Sequence, residues 1–397
     1  MLRSRTTTFA LVAIASFTSS CSVPVHSYSL AAPQHVGAAA PDPVLRPSKR
    51  AAFAKAAPTA PARILHAEDC KRVTKANGPL PASWREGASF DLRIGEDASS
   101  LRLLSTAVLP GASLPIEVLE RRHTASFVAD AAGGSLQQVR PGRWTWKAPR
   151  EPGVYSLRVE NRYDGESVCI NAFVMRPYDG RGTINGYRVG GYPRQPLNGD
   201  PAYIAPRGFI EVRGDMRDMW VSPHFRLDQF LCKQATAKVE YLALSPRLLL
   251  KLEYLLARAH DRGIRASTFQ ILSAFRTPWY NARIGNDTRY SRHAYGDAAD
   301  IFIDEDGDGR MDDLNGDGRI TARDADVLYE LVEDSMDDEA YQPLQGGLGL
   351  YAHAHKAGAF VHVDSRGTPI RWGTRIPQRS TPARMTERAS ARSSRSF

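Results

Sequence analysis

The sequence predicts two folded regions of different class. An all-β sandwich covers residues 65–178, and an α+β region (an antiparallel sheet with helices) covers 207–373, with a connector at 179–206. Three observations lead there. Residues 65–178 break into short alternating segments separated by Pro-Gly or Gly-Gly pairs, the pattern of strands and turns. From Ser245 onward the apolar spacing lengthens to that of a helix, and strand-like runs follow it. The 397 residues are 42% hydrophobic and 24% charged, which suits globular domains and excludes collagen, coiled coil and full disorder. No apolar run reaches the roughly 18 residues of a membrane span.

The two ends read as segments outside these domains. Arg3 and Arg5 precede a short apolar run at 9–17, then Thr18-Ser19-Ser20-Cys21, so residues 1–21 read as an export signal. The segment resembles the lipobox of bacterial lipoproteins, with Thr18 where such a box usually has Leu. That resemblance implies an exported protein of the periplasm or cell envelope, either anchored by lipid at Cys21 or free. Residues 22–64, rich in Ala and Pro, read as a semi-extended linker. The tail at 374–397 holds six arginines against one acid, Glu387, and reads as basic and disordered. It carries more than half of the net charge of +9, so the basicity is mostly a property of the tail. No nucleic-acid-binding signature accompanies it, and a nucleic-acid partner is not expected. The oligomeric state is not legible.

In the first region, strands are expected at 89–94, 114–119, 144–147, 154–160 and 168–175. The run WTWKAPREPGVYSLRV resembles the late strands of bacterial immunoglobulin-like modules, which implies an immunoglobulin-like sandwich serving as a spacer or wall-binding unit. Cys70 and Cys169 flank this region, and export permits a disulfide between them. Cys232, in RLDQFLCKQ, reads as a buried helix thiol. The absence of any CxxC pair argues against a thiolate zinc cluster.

In the second region, Ser245 and Pro246 open a helix as N-cap and first helical residue. Leu248, Leu249, Leu252, Leu255, Leu256 and Ala259 mark its apolar face, and Gly263 sits where the C-terminal cap belongs. Buried strands are expected at 268–273, 298–303 and 360–363. Two metal-type residues, His293 and Asp300, lie seven apart in SRHAYGDAAD. On one helix they would be about 10 Å apart along the axis, and fully extended more than about 20 Å. A single zinc needs both donor atoms about 2.0–2.2 Å from itself. The chain must therefore fold back, and Gly296 gives it that freedom. His362, on an alternating segment, is the natural third ligand.

These segments occur in a recognisable order. Residues 273–281 read SAFRTPWYN, the zinc motif SRHAYGDAAD fills 291–300, GGLGLY fills 346–351, and FVHVDSRG begins at Phe360. The set resembles the zinc D,D-carboxypeptidase and endopeptidase family of bacterial cell walls, whose fold is shared with lysostaphin-type peptidases and hedgehog signalling domains. The resemblance covers about 207–373. It implies a hedgehog/DD-peptidase-like fold, Zn2+ held by His293, Asp300 and His362, and hydrolysis of peptidoglycan stem peptides as a D,D-carboxypeptidase or endopeptidase. Three protein ligands leave a position for water, whose pKa zinc lowers toward about 7. Arg276 is the residue that steadies a developing oxyanion or holds a substrate carboxylate. Many members carry an acid or His three residues before the last ligand, where this chain has Ala359. Asp364 is the replacement general base, or instead the partner that orients a zinc histidine; His353 and His355 are further candidates for the base. Without a base, the same fold would be a noncatalytic peptidoglycan-binding protein.

An acidic insert at 304–340 interrupts the region. DLNGDGRITARD places Asp313, Asn315, Asp317, Gly318, Arg319 and Asp324 at positions 1, 3, 5, 6, 7 and 12 of an EF-hand-type calcium loop. Its short final acid resembles dockerin loops. Upstream, Asp304, Asp306, Asp308 and Gly309 begin a partial second loop, whose twelfth position would be Asn315. Structural Ca2+ is the expectation.

Overall fold

The structure, a computed structural model, describes residues 67–75, 78–120, 126–234, 239–354 and 358–373. The expected export signal, Cys21, the linker, the basic tail and His355 lie outside the described residues, as does the side chain of His353. The fold mixes α and β, with several antiparallel sheets and few helices. Among the described residues no helix is long and apolar enough to cross a membrane.

Two short helices, α1 (Ala67–Thr74) and α2 (Ala82–Arg85), precede nine strands. These are β1 (Gly87–Ile94), β2 (Asp97–Leu101), β3 (Leu103–Val108), β4 (Ser113–Val118), β5 (Phe127–Ala131), β6 (Ser135–Arg140), β7 (Arg143–Lys147), β8 (Gly153–Asn161) and β9 (Ser167–Val174). They form a five-stranded sheet in the order β2-β1-β4-β7-β6 and a four-stranded sheet in the order β3-β9-β8-β5. The two sheets share a core. Alternation turns Phe90, Leu92 and Ile94 of β1 and Trp144 and Trp146 of β7 inward. Phe90 meets Phe127 of the other sheet edge to face, with ring centroids 4.8 Å apart. All five strands expected from the sequence form, within two residues at each end. Four more were not expected. β6 (SLQQVR) shows why, since most of its side chains are exposed and it carries no apolar alternation.

β9 is buried along its whole length. Val168, Ile170 and Ala172 belong to the shared core, while the other face meets different partners. There Cys169 forms the expected disulfide with Cys70 of α1, 99 residues away. Asn171 donates to the carbonyl of Trp220 in the second region. The chain after α1 also reaches that region. The Gly78 carbonyl accepts from the Trp220 indole and the Arg226 guanidinium, and Lys75 pairs with Asp215. The disulfide therefore ties down a strap that touches both regions.

The second region begins with short strands: β10 (Arg176–Pro177), β11 (Thr183–Ile184), β12 (Tyr187–Arg188), β13 (Gly208–Val212), β14 (Trp220–Ser222), β15 (Phe225–Arg226) and β16 (Glu240–Leu242). Cys232 is buried as expected, but it follows a 3-10 turn at Leu227–Phe230 and is not helical. Helix α3 (Pro246–Asp261) starts and stops as expected, with Gly263 in the left-handed conformation (φ 76°). Ser245 holds the N-cap position, but its hydroxyl makes no capping bond; its N–H donates instead to the Gly296 carbonyl. The helix is buried beyond its apolar face, with Lys251 and Glu253 also covered. The reason is that it packs between β2 and β3 of the first region and α5 (Ala322–Ser335) of the second.

Helix α4 (Pro278–Arg283) lies on the chain between the first two strands of the last sheet. That sheet runs β17-β18-β20-β19-β21, where β17 is Gln270–Ser273, β18 Ala298–Phe302, β19 Gly347–Ala354, β20 Gly358–Asp364 and β21 Ile370–Trp372. All neighbours are antiparallel except β19 and β21. β17 is half-buried rather than buried, because it forms one edge of the sheet.

Cys70→Ser is expected to lower the unfolding free energy by about 2–4 kcal/mol. An unchanged urea midpoint would show that the strap is held without the bond.

Candidate metal centre

Register brings the site together. On β18 and β20, Asp300 stands directly opposite His362. Directly opposed residues on one sheet face have Cβ atoms about 4.5–5.5 Å apart. His293 arrives from a 3-10 turn, Arg292–Tyr295, that ends at Gly296 in the left-handed conformation. A Cβ on Gly296 would fall 2.3 Å from the Ala243 carbonyl oxygen, so only glycine fits this fold-back. A buried ion pair between Arg292 and Asp297 braces the turn.

The three expected ligands converge. His293 Nε2 lies 3.1 Å from His362 Nδ1 and 3.2 Å from Asp300 Oδ1, and His362 Nδ1 lies 2.9 Å from Asp300 Oδ1. All three residues are buried. Each imidazole has its other nitrogen against a pure acceptor. His293 Nδ1 donates to the Ala274 carbonyl at 2.6 Å, and His362 Nε2 donates to Asp364 Oδ2 at 3.2 Å. Those partners assign the tautomers and leave bare nitrogens facing Asp300. Three lone-pair atoms thus point at one centre. Donors about 2.1 Å from a tetrahedral ion lie about 3.4 Å from each other, close to the separations here. His293, Asp300 and His362 form a buried group able to hold a metal ion.

The electrostatics fit the same reading. Burial opposes ionisation of Asp300, but His293 and His362 outweigh it and hold the carboxyl well below the usual range. Burial keeps His293 below the ordinary imidazole value. For His362 burial acts the same way, yet the hydrogen bonds to Asp300 and Asp364 raise it. A proton on His362 and a cation at the centre compete for one lone pair, so loading the cation releases that proton.

Of the two roles left open for Asp364, the geometry gives it the orienting one. Its side chain is fully buried. Oδ1 accepts from the N–H of Gly347 at 2.8 Å and from Arg366 Nε at 2.8 Å, and Oδ2 from Arg366 Nη2 and His362. Burial pushes its pKa up, but Arg366 and His362 prevail and hold it far below the carboxylate range. A carboxylate so engaged has no free lone pair with which to take a proton, which counts against the general-base role expected from the sequence and supports the orienting one. Ala359 lies three residues from His362, so strand alternation turns it to the opposite face of β20, among core residues.

Arg276 follows β17, with its backbone N–H bonded to the His293 carbonyl at 3.1 Å. Its Nη2 is 3.6 Å from Asp300 Oδ2, and its Nε is buried with no partner among the described residues. Burial lowers its pKa, with Asp300 partly opposing.

Sequence reasoning missed Lys251, Arg366 and Trp372 as contributors. Lys251 donates from α3 to the backbone carbonyl of Asp364 and lies 5.0 Å from the Tyr341 ring. Its pKa is pushed down to about 8, mainly by burial. The available signal was a single lysine within the leucines of LLLKLEYLL. Arg366 and Trp372 stood in the motif strings without a role.

In the insert, the expected loop over 313–324 forms local hydrogen bonds in order. Asp313 accepts from Gly316, Asp317 and Gly318, Asn315 from Asp317, and Asp317 from the N–H of Arg319. Asp324 accepts from Leu314, Asn315 and Thr321 and closes the N-terminus of α5. Among the described residues, no three acids of this loop bring carboxylate oxygens within 4.8 Å of one another. The upstream loop does gather its acids. Asp304, Asp306 and Asp312 can bring carboxylate oxygens within 4.8 Å of one another. Asp308 is not in that group; its carboxylate accepts from the Arg310 N–H, as that of Asp312 accepts from the Glu305 N–H.

No model of a known protein family matches the chain, and a search of curated proteins finds no match either.

Asp364→Asn is expected to weaken binding of a divalent metal ion at this group about 10- to 100-fold, as losing the hydrogen-bond partner of a ligating histidine does. Competition against a chromogenic chelator measures this. Equal affinity in the variant would remove Asp364 from the orienting role.

Proposed function

We propose that this chain is an exported zinc metallopeptidase that cleaves peptidoglycan stem peptides, as a D,D-carboxypeptidase or endopeptidase. The observation that carries the reading is the convergence of His293, Asp300 and His362 beside a buried arginine whose Nε has no partner among the described residues. The order of motifs resembling the hedgehog/DD-peptidase fold adds to it. When bound by two imidazoles and a carboxylate, zinc supplies a Lewis acid that acidifies water and polarises a carbonyl. Every other part belongs to the chain. Asp364 and Ala274 fix the two imidazoles so that their bare nitrogens face inward. Arg276 offers fixed charge to an oxygen on which negative charge develops, or to a substrate carboxylate. Burial lowers the local dielectric around the cluster and strengthens these interactions.

In this reading the first region is an immunoglobulin-like spacer that carries the peptidase away from the envelope, with or without a lipid at Cys21. The insert holds structural Ca2+, first at Asp304, Asp306 and Asp312, with the loop of Asp313, Asn315, Asp317, Arg319 and Asp324 beside it. The second reading is a noncatalytic peptidoglycan-binding protein. The full engagement of Asp364 favours it, because it removes the general base named from the sequence.

Incubating the whole chain with a mixed muropeptide pool, followed by mass spectrometry, separates the two readings. The expected result is a chelator-sensitive loss of mass that zinc restores, with the lost mass naming the bond. Retention of muropeptides without any mass change would select the binding protein.

For the insert, millimolar Ca2+ is expected to raise the melting temperature by about 2–5 °C over a calcium-chelated sample. A variant with Asp304→Asn and Asp312→Asn should lose that rise. A melting temperature insensitive to Ca2+ would exclude the structural ion.

A further inference from the structure

One row of residues crosses four strands of the last sheet in register: Asp300 on β18, His362 on β20, Gly349 on β19 and Trp372 on β21. The row joins two cluster ligands to an indole. The rings of Trp372 and His362 have centroids 5.0 Å apart. The indole lies over β19 because the strand has no side chains beneath it. A Cβ on Gly349 would fall 2.3 Å from the indole nitrogen, and one on Gly347 would fall 2.9 Å from the ring. The Gly-x-Gly spacing thus forms a seat for Trp372.

The seat holds a second aromatic residue. The Trp372 indole N–H donates to the Tyr351 hydroxyl at 2.9 Å. Tyr351 also stacks flat on Phe360, with centroids 4.6 Å apart and planes within 3°. The phenol is fixed from two sides, yet Tyr351 keeps 39% of its surface exposed. An indole N–H can only donate, so the hydroxyl oxygen accepts there and its own hydrogen remains to be given. Among the described residues that hydroxyl has no acceptor partner. Tyr351 follows Gly349 by two residues on β19 and stands opposite Phe360, two residues before His362, so it shares the sheet face of the cluster.

We propose that Tyr351 is a substrate-binding residue that donates a hydrogen bond to an oxygen of the peptide held at the metal centre, and that Trp372 is the residue that positions it. The inference rests on the metallopeptidase reading and deepens it. A neutral phenol, joined to His362 through Trp372, and a guanidinium beside Asp300 come from separate elements, and each offers a hydrogen-bond donor of the kind that stabilises charge developing on a carbonyl. The phenol is rigid before substrate arrives, so little ordering is needed on binding.

The test uses the whole zinc-loaded chain and calorimetric binding of a phosphinic dipeptide of D-alanine, whose charged oxygens imitate those of an amide under attack. Tyr351→Phe keeps the stacked ring and removes only the hydroxyl. It is expected to weaken binding about tenfold, with zinc stoichiometry and melting temperature unchanged. Trp372→Phe should weaken binding by a similar factor, and the double variant should be no weaker than either alone, because both act through one hydroxyl. Wild-type affinity in Tyr351→Phe overturns the substrate contact. Additive losses in the double variant overturn the positioning role of Trp372. Failure of the zinc-loaded wild type to bind the probe overturns the metallopeptidase reading, and this inference with it.

Discussion

Three lone pairs aimed at one buried point are the constraint around which this fold is arranged. Acceptor atoms 2.9–3.2 Å apart repel one another unless a proton or a cation lies among them. Burial removes the water that would otherwise screen them. The scaffold must therefore hold the side chains in place by their far ends. For His293 the Ala274 carbonyl does so, and for His362 the Asp364 carboxylate does. Asp364 is in turn fixed by Arg366, by the Gly347 amide and, through its backbone carbonyl, by Lys251. A buried carboxylate with a bidentate arginine is costly to disturb, because removing either partner strands a charge without solvent.

The same requirement explains why α3 departs from an ordinary amphipathic helix. One of its faces packs against the first region, another packs against α5 and the turn at Glu339–Leu344, and Lys251 reaches the sheet at Asp364. Lys251 is consequently drawn into the interior, where its ammonium group has the Asp364 carbonyl and the Tyr341 ring as partners. At the far end of the contact, Arg247 reaches Asp97 and Glu96 of the first region. The two sheet systems are thus joined by a shared helix, by hydrogen bonds through β14 and by the strap that the Cys70–Cys169 disulfide holds down.

Much of this was readable in the chain. Strand positions in the first region followed from alternation and turn residues, and the limits of α3 followed from Ser245, Pro246 and Gly263. The ligand trio was readable too, because His293 and Asp300 could share a metal only if the chain reversed, and Gly296 marked where. Other parts were not readable. β6 has no apolar face to reveal it. β17 looked buried by composition, yet whether a strand is central or at an edge depends on which strands pair beside it. Cys232 sat in a helix-like string but packs in an irregular segment, since its burial comes from distant neighbours.

Local physics was therefore sufficient for period, turns, caps and the kind of chemistry, because each depends on residues a few positions apart. Roles that depend on which distant segments meet were settled by the folded chain. Asp364 orients His362 because Arg366 and Gly347 occupy its oxygens. Asp312, and not Asp308, gathers with Asp304 and Asp306. Trp372 reaches His362 because β21 pairs with β19 over two glycines. Hydrogen-bond saturation and close approach are properties of three-dimensional neighbours, and spacing along a chain does not specify them.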